Sequence, residues 1–113
     1  MGYVIDYLEF PSTSNSLSRT FFGKAFGWTF INYGPSYDGI GDAGIDAGIN
    51  GDPADRSVSP LAVIRCENLM AAEQAVVAAG GTITRPPYDF PGGRRFHFRE
   101  PGGAELAVWI STE

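Results

Sequence analysis

Arg95, His97 and Arg99 alternate with Phe96 and Phe98 in a run that ends at Glu100-Pro101-Gly102-Gly103. In the run that follows, Glu105, Ala107 and Trp109 alternate with Leu106, Val108 and Ile110. Successive strand residues point to opposite faces, so this spacing predicts a hairpin with one apolar face. On its other face guanidiniums, an imidazole, a carboxylate and an indole meet. His97 is the only histidine. Its ordinary titration near neutral pH suits a general base, or a donor to an anionic or carbonyl ligand. A half-exposed strand histidine with no role fits the same pattern. Glu9, Arg65, Arg95 and Glu105 read as a charged set in which a carboxylate could act as base and a guanidinium could hold a polar ligand. Ordinary ion pairs at the mouth of a curled sheet account for the same four residues. Tyr7, Trp28, Tyr33 and Trp109 offer rings that could stack on a flat ligand.

The bulk properties narrow the classes. The chain has 113 residues, a formal net charge of −5 and a hydrophobic share of 43%, which suits one ordinary globular domain. Acidic residues are dispersed and only Arg94 and Arg95 adjoin among the basic ones, so the basic stripe of a nucleic-acid binder is missing. No run approaches the ~20 apolar residues of a membrane span. The opening Met-Gly-Tyr-Val-Ile-Asp has no basic region followed by an apolar one, and a single cysteine, Cys66, fits a reducing compartment. A cytoplasmic location is the expectation.

The elements that must position these side chains follow a repeated order. Residues 3–10 read as a strand, and residues 16–26 as a helix with Leu17, Phe21 and Ala25 one turn apart, Phe22 and Phe26 beside them, and Gly27 at a left-handed cap. A strand at 28–33 follows, then two weak ones near 36–40 and 43–49 in a stretch crowded with Gly and Asp. That Gly-rich run, Asp38 to Gly44, is acidic and lacks the lysine of a phosphate loop. Residues 51–59 have linker composition. The pattern then restarts, with a strand at 60–66, a helix at 69–79 carrying Leu69, Ala72, Val76 and Ala79 on one face, and a strand from Thr82. The segment 86–93, with two adjacent prolines, reads as a loop before the closing hairpin. Strand, helix, strand, strand, strand thus occurs twice: module one at 1–50, the linker at 51–59, module two at 60–113. The expected fold class is α+β, two βαβββ modules forming a curled mixed sheet around a cleft, with helices on the outer face. By alternation Tyr7, Glu9, Leu61, Val63, Arg65, Arg95, His97, Arg99, Glu105, Ala107 and Trp109 line the cleft. Cys66 falls on the helix-facing row, as an inert buried thiol does.

Phe21-Phe22-Gly23-Lys24-Ala25-Phe26-Gly27-Trp28-Thr29-Phe30, Ala78-Ala79-Gly80-Gly81 and Phe98-Arg99-Glu100-Pro101-Gly102-Gly103-Ala104-Glu105-Leu106 stand in order along this pattern. With the doubled βαβββ order, they resemble the vicinal oxygen chelate superfamily, also called the glyoxalase, bleomycin-resistance and dioxygenase family. The likeness is greatest to its small glyoxalase-like members. The resemblance implies a homodimer. In metal-dependent members it implies four ligands to a divalent ion, from the first and fourth strands of each module. Those positions fall here on Tyr7, near Asp46, on Leu61 and on Ala107. Leu61 and Ala107 have no ligand atom, so no metal cofactor is expected, with Asp46 the one plausible ligand that survives.

Two functions remain open. One is metal-independent binding of a small, partly aromatic molecule in the cleft by Tyr7, Glu9, Arg65, Arg95, His97, Glu105 and Trp109, with Phe22 adding a ring. The other is a glyoxalase-related lyase or isomerase with His97, Glu9 or Glu105 as base. The fold alone decides between neither.

Overall fold

The computed structural model describes residues 2–113. The elements are β1 (Val4–Pro11), α1 (Asn15–Phe26), β2 (Thr29–Asn32), β3 (Tyr37–Gly41), β4 (Asp46–Asn50), β5 (Leu61–Arg65), α2 (Leu69–Ala78), β6 (Thr82–Phe90), β7 (Gly93–Arg99) and β8 (Glu105–Ser111). The chain is α+β, and βαβββ occurs twice. It divides into two compact units, Tyr7–Leu61 and, with the residues up to Asp6, Ala62–Glu113.

The unit Tyr7–Leu61 orders its strands β2-β3-β4-β1, with β1 parallel to β4 and the other pairs antiparallel. The Ser14 hydroxyl accepts from the Leu17 amide to start α1, and Gly27, at φ 74°, closes it by donating to the Gly23 carbonyl. Phe22 faces the sheet from α1, packing between Phe10 and Trp28 over Ile40, Ala47 and Ile49. Leu17, Phe21 and Phe26 are exposed, so of the apolar positions read on this helix it is Phe22 that meets the core. The strand expected from residue 43 begins at Asp46. Asp42 (φ 64°) and Gly44 (φ 89°) take left-handed conformations that make residues 42–45 a turn.

A buried carboxylate ties this unit together. Asp38, 2% exposed, accepts from Arg19 Nη1 at 2.8 Å, Asn15 Nδ2 at 3.0 Å and Asn32 Nδ2 at 3.1 Å, joining α1 to β2 and β3. Burial alone would raise its pKa, but the hydrogen bonds from Asn32, Asn15 and Arg19 together outweigh it and hold the carboxyl below its ordinary value.

In the other unit the order is β5-β8-β7-β6, with β5 parallel to β8 and the β8–β7–β6 pairs antiparallel. Cys66, Ala72, Phe96, Phe98 and Val108 form the core beneath α2, which adds Leu69 and Val76. Cys66 is buried, and burial pushes its thiol pKa up, as an inert thiol requires. Because α2 presents alanines, a hollow of about 290 Å³ remains beside Ala72, Ala75, Val76, Phe98 and Val108. Its lining is apolar, apart from the Glu100 carboxylate that the Gly102 and Ala104 amides occupy.

The expected loop at 86–93 is a strand for most of its length. β6 runs through Pro86 and Pro87 to Phe90. β6 pairs on one side only, with β7, and an end strand tolerates residues without an amide hydrogen. Its register against β7 shifts between Ile83 and Arg85 and again between Arg85 and Tyr88. Such bulges re-aim side chains.

Candidate functional site

The two units carry two separate polar groups of side chains. In Ala62–Glu113 the register is Arg95 with Trp109, His97 with Ala107 and Arg99 with Glu105, while Phe96 pairs with Val108 and Phe98 with Leu106. The apolar rows therefore face α2, as alternation predicts. On the opposite face β5 contributes Val63 and Arg65, the partners of Ala107 and Trp109. β6 contributes Arg85 and Tyr88, the partners of His97 and Arg95. Arg85 and Tyr88 are three residues apart, and the extra residue at the register shift puts both on one face.

Tyr88 is the centre of this face. Its hydroxyl lies 2.9 Å from His97 Nε2 and accepts a hydrogen bond from Arg95 Nε. His97 Nδ1 faces the Glu105 carboxylate at 3.6 Å, and Thr84 Oγ1 donates to that carboxylate at 3.1 Å. A carboxylate beside Nδ1 favours the proton on that nitrogen, so Nε2 accepts and the Tyr88 hydroxyl donates to it. Arg85 lies over the Tyr88 ring at 3.7 Å. His97 is 4% exposed and Arg95 8%. Burial, then the Arg95 charge, hold the His97 imidazole below its ordinary pKa against the pull of Glu105, so it is neutral at pH 7.

Trp109 stands one pair further along the face. Its indole donates to Asp6 Oδ1 at 2.9 Å, Arg65 lies over its ring at 4.9 Å and 3.8 Å from Asp6, and Phe90 approaches it with ring centroids 6.2 Å apart. The structure thus brings Arg95, His97 and Glu105 together and sets Trp109 and Arg65 beside them.

Tyr7 and Glu9 belong to a different network, in Tyr7–Leu61. The Tyr7 and Tyr37 hydroxyls meet at 2.5 Å, and Tyr37 donates to Glu9 Oε2 at 2.9 Å. Asn50 Nδ2 donates to Glu9 Oε1 at 3.3 Å and to Asp55 Oδ2 at 2.9 Å. The two phenols converge over Gly48, where a Cβ would strike both hydroxyls. Burial, then the Glu9 charge and Tyr7, raise the Tyr37 pKa strongly, which keeps that phenol a donor. Glu9, 3% exposed, is held by these side chains. Among the rings offered for stacking, Phe22 and Trp28 are packed against each other on the helix side of the sheet, with centroids 5.0 Å apart. Tyr33 is exposed, with its ring against Gly39.

The four positions that the resemblance assigns to a metal are each occupied as follows. Tyr7 and Asp46 are register partners, but the Tyr7 hydroxyl is bonded to Tyr37 and Asp46 is exposed. Leu61 and Ala107 are buried hydrocarbons. Among the described residues, no group of three or more His, Cys, Asp or Glu side chains could hold an ion. A divalent ion needs several N or O donors converging on it, and the side chains of Leu61 and Ala107 carry none.

Twin βαβββ units with helices on the apolar rows define an α+β protein of paired modules. The profile of the Glyoxalase/Bleomycin resistance protein/Dioxygenase superfamily matches residues 5–108, and the chain belongs to that superfamily. Among solved structures, a glyoxalase/bleomycin resistance protein/dioxygenase superfamily member from Vibrio splendidus 12B01 has TM-score 0.72 at 12% identity, with 97% of this chain and 100% of that one covered. Methylmalonyl-CoA epimerase from Mycobacterium tuberculosis has TM-score 0.71 at 10% identity, with 96% and 88% covered. The Mn(II)-bound glyoxalase from Novosphingobium aromaticivorans has TM-score 0.66 at 17% identity, with 94% and 38% covered. At these identities the likeness is one of fold. The search of curated proteins finds no match. Among the described residues, no helix is long and apolar enough to cross a membrane.

Sequence reasoning missed Tyr88, Arg85 and Tyr37. Pro86 and Pro87 hid the first two by reading as a loop. The Gly-rich run from Asp38 obscured the strand that presents the third.

Proposed function

We propose that this chain binds a small, partly aromatic, negatively charged molecule on the β5–β8 face of Ala62–Glu113, without a metal ion. The observation that carries this reading is the buried Arg95 guanidinium set with Tyr88 and neutral His97 beside the Trp109 indole. Arg65, Arg85 and Arg95 bring guanidiniums to this face, beside the carboxylates of Asp6 and Glu105. Buried cations next to aromatic rings suit an aromatic anion, with the ring on indole and the charge near guanidinium. Absent donors at Leu61 and Ala107 support metal independence. A homodimer in the cytoplasm, without nucleic-acid or membrane partners, is part of this reading. Exposed Leu17, Phe21, Ile31 and Tyr33 support association, and a monomer in sedimentation velocity would remove the dimer.

The test is a thermal-shift screen of small aromatic carboxylates, with EDTA and separately with added divalent ions. Stabilisation that survives EDTA and disappears in Arg95→Met supports the proposal. No stabilisation by any aromatic anion, or stabilisation only with a divalent ion, counts against it.

A second reading, a lyase or isomerase, is favoured by the contact between Tyr88 and His97. Of its candidate bases, Glu9 is enclosed by Tyr37 and Asn50, while Glu105 and His97 act as a pair.

A further inference from the structure

We infer that Tyr88 is the residue of this site that exchanges a proton with the bound molecule, and that His97, Glu105 and Arg95 are the positioning residues that enable it. The inference rests on the reading of this face as the ligand site. His97 cannot itself reach a ligand: its Nδ1 faces Glu105, its Nε2 faces the Tyr88 hydroxyl, and the ring is buried. Tyr88 is half-buried, whereas His97 is 4% exposed. The order is carboxylate, imidazole, phenol. It matches the requirement that a base be oriented by a third group and lie within hydrogen-bond reach of the hydroxyl it activates. Arg95 adds a fixed N–H aimed at the phenol oxygen, which stabilises negative charge as it develops there.

The step balances without an oxidant, a metal or a second substrate. The bound molecule gives up one proton to the Tyr88 oxygen while the phenol's own proton passes to His97 Nε2. One ligand X–H bond and one phenol O–H bond break, and one O–H and one N–H bond form. The electron pair of the X–H bond stays on the ligand, the imidazolium faces Glu105, and the reverse transfer restores the site. The ligand class is an aromatic anion with an exchangeable proton near the ring, because Trp109, Phe90 and the guanidiniums of Arg65, Arg85 and Arg95 share this face.

The experiment uses 4-(fluorosulfonyl)benzoate, an aromatic anion whose sulfur is attacked by an activated phenol with loss of fluoride. Labelled tyrosines are identified by peptide mass spectrometry as a function of time. Tyr3 and Tyr33, 58% and 67% exposed, are internal controls of simple access. The expected result is labelling of Tyr88 at least ~10-fold faster than of either control, since positioned acid–base partners contribute ~10²–10⁴-fold. In His97→Asn the Tyr88 rate falls at least ~10-fold. In Glu105→Gln, which keeps the volume and the hydrogen bonding, it falls by a smaller factor, and in both variants the control rates are unchanged. Labelling of Tyr3 or Tyr33 before Tyr88, or a Tyr88 rate unaffected in both variants, would overturn the inference. The unreactive 4-(methylsulfonyl)benzoate separates the two readings. If it binds while Tyr88 labels no faster than the controls, the proton-transfer role fails and ligand binding stands. If Tyr88 labels fastest but the analogue neither binds nor protects it, the binding reading fails and the activated phenol stands.

Discussion

Tyr37→Phe is the substitution that most sharply tests whether Glu9 and Tyr7 are held by structure and not by a ligand. It removes one oxygen from between the Tyr7 hydroxyl, at 2.5 Å, and Glu9 Oε2, at 2.9 Å. A hydrogen bond to a charged group is worth about 1.5–3 kcal/mol, and a neutral one about 0.5–1.5 kcal/mol. Water could recover part of this, but Glu9 is buried and the two phenols close over Gly48. The expected loss is therefore about 2–4 kcal/mol, a large share of the 5–15 kcal/mol that holds a domain folded. Urea unfolding of the wild type, Tyr37→Phe, Glu9→Gln and the double variant measures it. Because the two side chains touch, the cycle should show a coupling of at least about 1 kcal/mol. A Tyr37→Phe loss below about 0.5 kcal/mol, or additive single effects, would refute the account of Glu9 as a structurally committed carboxylate.

Other perturbations have equally definite signs. The folded His97 pKa lies below its unfolded value, so the unfolded chain binds the proton more readily. Stability from neutral His97 is thus fully present above about pH 6.5 and lost as pH falls through the lower folded pKa. His97→Gln should flatten that limb in urea titrations between pH 5 and 8; an unchanged slope would contradict it. Asp38 is also depressed, so its contribution is present above the ordinary carboxylate range and lost in acid as pH falls through the folded value. Asp38→Ala should cost about 2–4 kcal/mol, below the full penalty for breaking a buried pair because Arg19 is 37% exposed, and calorimetry near pH 7 reads it. Ala75→Leu, reaching into the 290 Å³ hollow, should raise stability by about 0.5–1 kcal/mol, and a lower Tm would show that the hollow cannot accept the side chain.

How much of this was legible depended on periodicity. The hairpin of β7 and β8 alternates without a break, so the faces of Arg95, His97, Trp109, Phe96 and Val108 follow from spacing alone. Both helix starts were marked by short polar caps, and Gly27 marked the end of α1. Legibility failed where the two-residue period is interrupted. Two register shifts bring Arg85 and Tyr88 to one face, which no alternation rule anticipates. On α1 the sheet is met by Phe22 and not by the Leu17–Phe21 row, because a helix with this many aromatics has more apolar surface than one face can bury. Glu9, Arg65, Arg95 and Glu105 read from the sequence as one charged set. Their partners differ, however: Glu9 is met by Tyr37, Arg65 by Trp109 and Asp6, Arg95 by Tyr88, and Glu105 by His97.

The central claim is that an aromatic anion binds beside His97 and Trp109 without a metal. With one histidine in the chain, the His97 ring gives a single set of imidazole resonances, and a Trp28→Phe background leaves Trp109 as the only indole. NMR titration of that protein with benzoate-type fragments in the presence of EDTA reads both groups at once. Saturable shifts of the His97 imidazole and the Trp109 indole N–H, abolished by Arg95→Met, are the predicted result. Shifts that appear only after a divalent ion is added, or fragments that bind while leaving both resonances unmoved, would contradict it.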